Sequence, residues 1–66
     1  MDKIRVPKAV FEGLEAIRRS GATNMFDYRA VVELASILNN RDTLLWLIDH
    51  KHEYLQGVLY GIEPED

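Results

Sequence analysis

The sequence predicts an all-α fold, a compact bundle of three to four short helices. Along most of the chain, apolar residues recur at intervals of three and four, the period of an amphipathic helix. Proline, glycine and a pair of asparagines divide this pattern into short segments. The 66 residues suffice for one domain. We expect helices over approximately residues 7–20, 28–38, 41–50 and 52–61.

The first predicted helix starts at Pro7, whose fixed φ angle suits the first helical position. Its apolar stripe consists of Val10, Phe11, Leu14 and Ile17. Arg18 and Arg19 complement the helix dipole in the last turn, and Gly21 favours a left-handed stop. Gly13 destabilises the helix by about 1 kcal/mol unless another group packs closely against it.

The connection to the second helix contains Met25 and Phe26, which are too apolar for a fully solvated loop, and we expect both to pack into the core. Asp27 can cap the second helix. The buried stripe of this helix is predicted to consist of Val31, Leu34, Ala35 and Leu38. Asn39 and Asn40 end the helix, because asparagine tolerates the left-handed conformation, and Asn40 can also cap the third helix.

The third predicted helix carries apolar residues in every direction around its axis, namely Leu44, Leu45, Trp46, Leu47 and Ile48. A helix of this kind is buried on more than one side. In so short a chain, either the other helices surround it or a second subunit covers it. The sequence therefore predicts a homodimer or a higher oligomer.

The fourth predicted helix contains two glycines, Gly57 and Gly61, spaced four residues apart. The favoured interpretation is a tolerated glycine followed by a helix stop. The alternative is a bare strip where another helix backbone approaches closely. We expect residues 1–66 to form a single domain with frayed ends at residues 1–6 and 62–66.

Composition and charge exclude several classes of function. The absence of cysteine excludes disulfides and thiolate zinc sites. The net charge is −3, with +2 in residues 1–21 and −5 in residues 22–66, which disfavours binding to nucleic acid. The longest uninterrupted apolar run has five residues, and the chain start lacks the apolar region of a signal peptide. We therefore expect a soluble protein with no membrane partner.

Several possible chemical sites have weak support. His50 and His52 point away from each other on a helix, and neither has enough neighbouring ligands, so no metal or cofactor is predicted. No catalytic motif is present, and we do not expect an enzyme. Residues 31–48 allow a helix-turn-helix alternative, a weak nucleic-acid binder. Against it, Asn40 occupies a position that should be apolar, and only Arg41 is basic near the supposed recognition helix.

The loop after the first helix is a candidate binding site for an anion or phosphate. Arg18, Arg19, Thr23 and Asn24 combine cations with polar groups, close to the N-terminus of the second helix. The structural alternative is a helix end, a polar loop and an N-cap. Asp27 also competes with any anion for the free N–H groups of the second helix.

Residues 10–27, VFEGLEAIRRSGATNMFD, resemble the N-terminal signature of a family of small phage and prophage proteins of unknown function. In that family a helix containing tryptophan and a Tyr-x-x-Gly stretch follow, and Trp46 and residues 54–57 match them. The resemblance covers nearly the whole chain. It departs at Asn39 and Asn40, which replace a more usual glycine, although asparagine can serve the same turn. The resemblance implies a phage origin, an accessory role and a location in the cytoplasm of an infected bacterium.

Stoichiometric binding is the function that these features favour. The leading hypothesis is inhibition or regulation of a host or phage protein, with interface residues Leu45, Trp46, Tyr54 and Gly57. Trp46 is equally compatible with the core. The alternative is an oligomer that sequesters a small anionic ligand, such as a nucleotide, through Arg18, Arg19, Thr23 and Asn24.

Overall fold

The computed structural model describes residues 3–65 and confirms the mostly helical bundle. In chain order, the elements are β1 (Ile4–Val6), α1 (Lys8–Ser20), α2 (Tyr28–Ile37), α3 (Arg41–Asp49), α4 (Lys51–Tyr60) and β2 (Ile62–Pro64). The helix boundaries lie within one residue of the predicted ones. None of the helices in this part of the chain is long and apolar enough to cross a lipid bilayer.

The helix ends follow the predicted local chemistry. Gly21 ends α1 with a φ of 65°, and Asn39 follows α2 with a φ of 58°. The Asp27 carboxylate accepts a hydrogen bond from the Ala30 backbone N–H (3.2 Å). The Asn40 side-chain oxygen accepts one from the backbone N–H of Thr43 (3.4 Å). Each stop and cap therefore occupies the residue where the sequence predicted it.

The core draws on β1 and all four helices, and its buried apolar residues are Val6, Val10, Leu14, Ile17, Val31, Ala35, Leu47 and Tyr54. The predicted stripe of α1 lies in or against this core. For α2, the prediction that Leu38 belongs to the buried stripe is wrong, because this side chain remains 47% exposed. The reason is that α2 ends at Ile37, so Leu38 has left the helical face that packs inward.

The helices α1 and α3 approach most closely at Gly13. A Cβ atom at Gly13 would overlap the hydroxyl of Thr43 and the side-chain amide of Asn40. Thr43 is fully buried there, and its hydroxyl has no hydrogen-bond partner among residues 3–65. The absence of a side chain at Gly13 therefore allows α3 to start directly against the middle of α1.

The chain ends differ from the prediction. Instead of fraying, β1 and β2 form a parallel pair in which Ile4 lies opposite Ile62 and Val6 opposite Pro64. The Ile4 N–H donates to the Gly61 carbonyl (3.0 Å), and the Glu65 N–H donates to the Val6 carbonyl (2.8 Å). Residues 1, 2 and 66, which the prediction also included in the frayed ends, lie outside the described residues.

The loop between α1 and α2 also differs from the prediction. Met25 is half-buried and packs against the core as expected, but Phe26 is 59% exposed. The backbone of this loop is held by several hydrogen bonds. The Phe26 N–H donates to the Asn24 side chain (2.8 Å), and the Met25 carbonyl accepts from the Tyr54 hydroxyl (2.5 Å). These bonds orient Met25 inward and leave the adjacent Phe26 ring in solvent.

Candidate protein-binding surface

The solvent-facing side of α3 carries two aliphatic side chains among charged ones. On the inner side, Thr43 and Leu47 are fully buried. On the opposite side, Leu45 is 50% exposed and Ile48 is 57% exposed. These two residues are three apart and therefore lie side by side on the helix. Within one copy of the chain, α3 is buried on one side only, and we call its exposed ridge of Leu45 and Ile48 the α3 ridge.

Two open depressions flank the α3 ridge. The one facing α1 has a volume of about 330 Å³ and is lined by Pro7, Ala9, Val10, Asp42, Leu45, Trp46 and Asp49. The one facing α2 has a volume of about 690 Å³ and is lined by Tyr28, Arg29, Val32, Glu33 and Ile48. Each depression combines apolar side chains with charged ones. An apolar centre with a polar rim is the usual composition of a protein–protein interface.

Trp46 lies between the core and the surface. Its side chain is half-buried and packs against the core cluster while also lining the depression that faces α1. The imidazole of His50 stacks on its ring with 4.9 Å between the centroids and 10° between the planes. The Nδ1 atom of His50 donates to the Trp46 carbonyl oxygen (2.9 Å). Trp46 is therefore held in one orientation, with part of its ring accessible to a partner.

Tyr54 and Gly57 are internal, so the prediction that they form part of a surface interface is wrong for the folded monomer. Tyr54 is fully buried, and its hydroxyl donates to the Met25 carbonyl. Burial raises the pKa of the Tyr54 phenol to about 12. Gly57 is covered by the two strands, since a Cβ atom there would lie 2.6 Å from Ile62 and 2.7 Å from Ile4. The close approach at Gly57 is real, but strand side chains make it instead of another helix.

Two of the four residues predicted to bind an anion, Arg18 and Asn24, already make side-chain hydrogen bonds within the chain. The Glu15 carboxylate accepts from Arg18 Nε (3.2 Å) and Nη2 (2.6 Å), and this hydrogen bonding lowers the pKa of Glu15. Asn24 is used within its own turn. Among residues 3–65, no hydrogen bond engages the side chain of Arg19 or Thr23. The hydrogen bonds of this loop therefore do not link the four predicted residues to one another.

The structure also shows the surroundings of the two histidines and of the supposed recognition helix. His50 is engaged with Trp46, whereas His52 is exposed on α4. Across residues 3–65, no three side chains of the metal-binding types come together. The supposed recognition helix is α3, and its exposed ridge is formed by Leu45 and Ile48. These aliphatic side chains lack the donors and acceptors that read base edges in a DNA groove.

A third depression, which is mainly apolar, lies between α1 and α4. It has a volume of about 250 Å³ and is lined by Phe11, Leu14, Glu15, Arg18, Met25, Gly57, Val58 and Ile62. We call it the α1–α4 groove. Its walls come from α1, the following loop, α4 and β2, so only the tertiary structure brings them together. Phe11, Leu14, Met25 and Val58 read in the sequence as ordinary core positions, whereas Ile62 falls in the end that the sequence predicts to be frayed.

Comparison with known proteins assigns the chain to a protein family. No curated protein and no solved structure is significantly similar to the chain. One family model matches residues 7–62, a range that includes all four helices and the first residue of β2. Because this match covers most of the sequence, the chain belongs to the family described as Domain of unknown function (DUF5049).

Proposed function

We propose that the protein acts by stoichiometric binding of another protein, with the α3 ridge at the centre of the contact. The observation that carries the proposal is the exposure of Leu45 and Ile48 on a helix whose opposite side is fully buried. Contiguous exposed apolar surface rimmed by polar residues marks interaction sites on small soluble domains. Trp46, held beside the ridge by His50, adds a rigid aromatic group of the kind that dominates interface energies.

The shape of this surface favours binding over catalysis. The depressions on both sides of α3 are open to solvent, whereas enzymes and cofactor proteins usually enclose a small ligand on most sides. A ridge between two shallow depressions suits a convex partner element, such as a helix, on either side of the ridge. The charged residues at the rim, Arg41, Asp42 and Asp49, are exposed and can determine the orientation of that partner.

The biological setting of the proposal comes from the resemblance of residues 10–27 to small phage and prophage proteins. In that setting the partner is a host or phage protein in the cytoplasm of an infected bacterium. A small domain that acts by binding alone suits an inhibitor or regulator, for example of a host defence protein. Sequestration of an anionic ligand has less support, because Glu15 already neutralises Arg18.

Site-specific crosslinking tests this proposal directly. A photoreactive amino acid placed at Leu45 should crosslink to a defined protein in the lysate of an infected host cell. The same group placed at Ile37, which is 75% exposed on α2, is the matched control and should not produce that product. Leu45→Asp should fold normally, because the side chain is half in solvent, and should reduce capture of the same protein by roughly tenfold or more.

The control variant Ile37→Asp should leave capture unchanged. If Leu45→Asp retains its circular dichroism spectrum and captures the partner as well as the wild-type protein does, the α3 ridge is not the binding surface. Equal crosslinking from positions 45 and 37 would likewise show that the contact is nonspecific and would overturn the proposal.

A further inference from the structure

The depression on the α1 side of the α3 ridge is acidic. Its lining residues are Pro7, Ala9, Val10, Asp42, Leu45, Trp46 and Asp49. Two of these side chains are carboxylates, and none is a cation. The depression on the α2 side contains one charge of each sign, from Arg29 and Glu33. The two sides of the ridge therefore differ in charge, and we call the acidic one the Trp46 depression.

The carboxylates of Asp42 and Asp49 are exposed and have no ionic partner among residues 3–65. The ion pairs in that part of the chain lie elsewhere, between the paired strands and within α1. Lys51, the cation closest to Asp49 in the sequence, lies instead over the Tyr28 ring, 5.3 Å from its centroid. Asp49 also takes no part in capping α4, whose N-terminus has no side-chain cap. Both carboxylates are therefore available to another molecule.

Asp42 and Asp49 flank the apolar part of the Trp46 depression on one face of α3. They are seven residues apart in the sequence, which corresponds to about two helical turns and about 10 Å along the axis. Leu45 and Trp46 follow Asp42 by three and four residues and therefore share its face of the helix. The order along this face is a carboxylate, an apolar pair and a second carboxylate.

On the basis of the proposed function, we infer that the partner of the α3 ridge presents a basic amphipathic helix to the Trp46 depression. Its apolar side chains contact Leu45 and Trp46, and its arginine or lysine side chains lie opposite Asp42 and Asp49. A helix suits this surface because its side chains recur on one face at the same interval as the two carboxylates. Opposite charges then meet at both ends of the apolar contact, which fixes the register of the partner.

Trp46 adds a preference for arginine over lysine. An indole gives the strongest cation–π attraction of the aromatic side chains, and the stacked ring of His50 holds this indole in place. Asp42 and Asp49 are neighbours of Trp46 on the helix, four residues before it and three after it. A guanidinium that pairs with either carboxylate therefore also lies beside the indole, and its planar shape stacks on aromatic rings better than an ammonium does.

The same charges disfavour the other large classes of partner. Nucleic acids and anionic membranes present phosphates, which the carboxylates beside the apolar contact repel. The whole chain also carries a net charge of −3. A basic protein surface is attracted both by the two carboxylates and by the net charge, which accelerates association.

A fluorescence titration tests the inference, because Trp46 is the one tryptophan in the sequence and reports binding at the depression itself. The probe is a synthetic, tryptophan-free helix of about 18 residues, or roughly five turns, with a leucine stripe flanked by two arginines. The arginines have the same spacing as the two carboxylates, and a twin peptide carries glutamine in their place. The wild-type protein should bind the arginine peptide at least about tenfold more tightly than the glutamine twin.

Removal of each carboxylate provides the decisive comparison. Asp42→Asn and Asp49→Asn should each weaken binding of the arginine peptide by roughly three- to tenfold and leave binding of the glutamine twin unchanged. Both side chains are exposed, so both variants should keep the circular dichroism spectrum of the wild-type protein. Glu33→Gln is the matched control, since it removes the same charge from an exposed position on the α2 side, and it should bind both peptides as the wild-type protein does.

An arginine peptide that binds no better than its glutamine twin would overturn the inference. Equal weakening by Asp49→Asn and Glu33→Gln would also overturn it, because the peptide would then respond only to net charge. Leu45→Ala tests the ridge separately and should weaken both peptides alike. If Leu45→Ala binds both peptides as the wild-type protein does, the α3 ridge proposal fails. If Asp42→Asn and Asp49→Asn keep the full preference for arginine, only the inferred charge of the partner is wrong.

Discussion

At the scale of the residue, Tyr54 combines a buried aromatic ring with one long-range hydrogen bond. The ring packs beside Tyr28 with 6.1 Å between the centroids, and the hydroxyl reaches the carbonyl of Met25, 29 residues earlier. Because the phenolate is disfavoured in this buried position, the pKa of Tyr54 rises from 10.0 to about 12. In the folded state the Tyr54 hydroxyl therefore keeps its proton at pH values at which the same hydroxyl is ionised in the unfolded chain.

This raised pKa predicts a loss of stability in alkali. Below pH 10 the phenol is protonated in both states, so its contribution to stability is fully present. Between pH 10 and about pH 12 the unfolded state releases the proton first, so the free energy of unfolding falls as the pH rises. Urea denaturation at several pH values would measure this slope. Tyr54→Phe should be less stable by about 1 kcal/mol at pH 7 but should show a shallower alkaline slope.

The comparison with Tyr54→Phe isolates one group, because every other titrating residue is shared by the two proteins. Identical alkaline slopes in the two proteins would mean that the Tyr54 hydroxyl ionises as easily in the folded state as in the unfolded one. Such a result would contradict the burial of this hydroxyl against Met25.

At the scale of the element, the helix ends depend on local chemistry, whereas helix packing depends on partners distant in sequence. Asp27, Asn40, Gly21 and Asn39 act within a few residues of themselves, and each is observed in its predicted role. Gly13 is different, because the reason for its small size lies in α3. The sequence indicated that an interior glycine requires a close neighbour, but it did not identify Thr43.

The packing of α1 on α3 predicts that Gly13→Ala is destabilising. Alanine would improve intrinsic helix propensity by about 1 kcal/mol, but its Cβ would overlap Thr43 and Asn40. Overpacking of this kind typically costs about 1–3 kcal/mol. The nearest atoms belong to the buried start of a helix and cannot easily move away, so we expect a net loss. Thermal and urea unfolding would measure it.

Thr43 provides the control for this prediction. Thr43→Ala removes the hydroxyl that the new Cβ would meet, so Gly13→Ala should be less harmful in a Thr43→Ala background. A double-mutant cycle with a coupling energy near zero would contradict the close contact. Thr43→Val alone should be neutral or stabilising, since the hydroxyl is buried without a partner among residues 3–65.

At the scale of the whole molecule, the paired ends close the fold. The strands β1 and β2 lie over Gly57, and Val6 becomes part of the core although it precedes the first helix. In a domain of 66 residues, which buries only about 60% of its unfolded surface, such additional burial is a substantial share of the stability. The contact joins residues 58 positions apart, so it also restrains the four helices between them.

Removal of residues 62–66 should therefore destabilise the protein by about 2 kcal/mol, the value of burying one large aliphatic side chain. The midpoint of urea unfolding would report the change. The control is Glu63→Ala, which deletes the ion pair with Arg5 (3.2 Å) and retains the strand. Exposed ion pairs contribute about 0–1 kcal/mol to stability, so the midpoint of urea unfolding of this variant should be close to that of the wild-type protein. Equal midpoints for the truncated and full-length proteins would show that the end of the chain does not contribute to the fold.

The candidate surface shows the same division between local and distant information. Because apolar residues surround the axis of α3, the sequence pattern does not indicate which side of this helix the other helices cover. The structure shows that Leu47 is covered, that Leu45 is exposed and that Trp46 lies between them. The sequence alone favours a surface position for Tyr54 and Gly57, because neither residue indicates that β1 and β2 pack over α4.

The sequence by itself determined the helical class, the helix boundaries to within one residue and the helix caps. These properties depend on apolar periodicity and on side chains that bond to nearby backbone, which are both local. Only the tertiary structure decided the pairing of the chain ends, the partner of Gly13, the α1–α4 groove and the exposed side of α3. Each of these depends on contacts between residues far apart in the chain, and periodicity within one helix contains no information about which distant element will cover it.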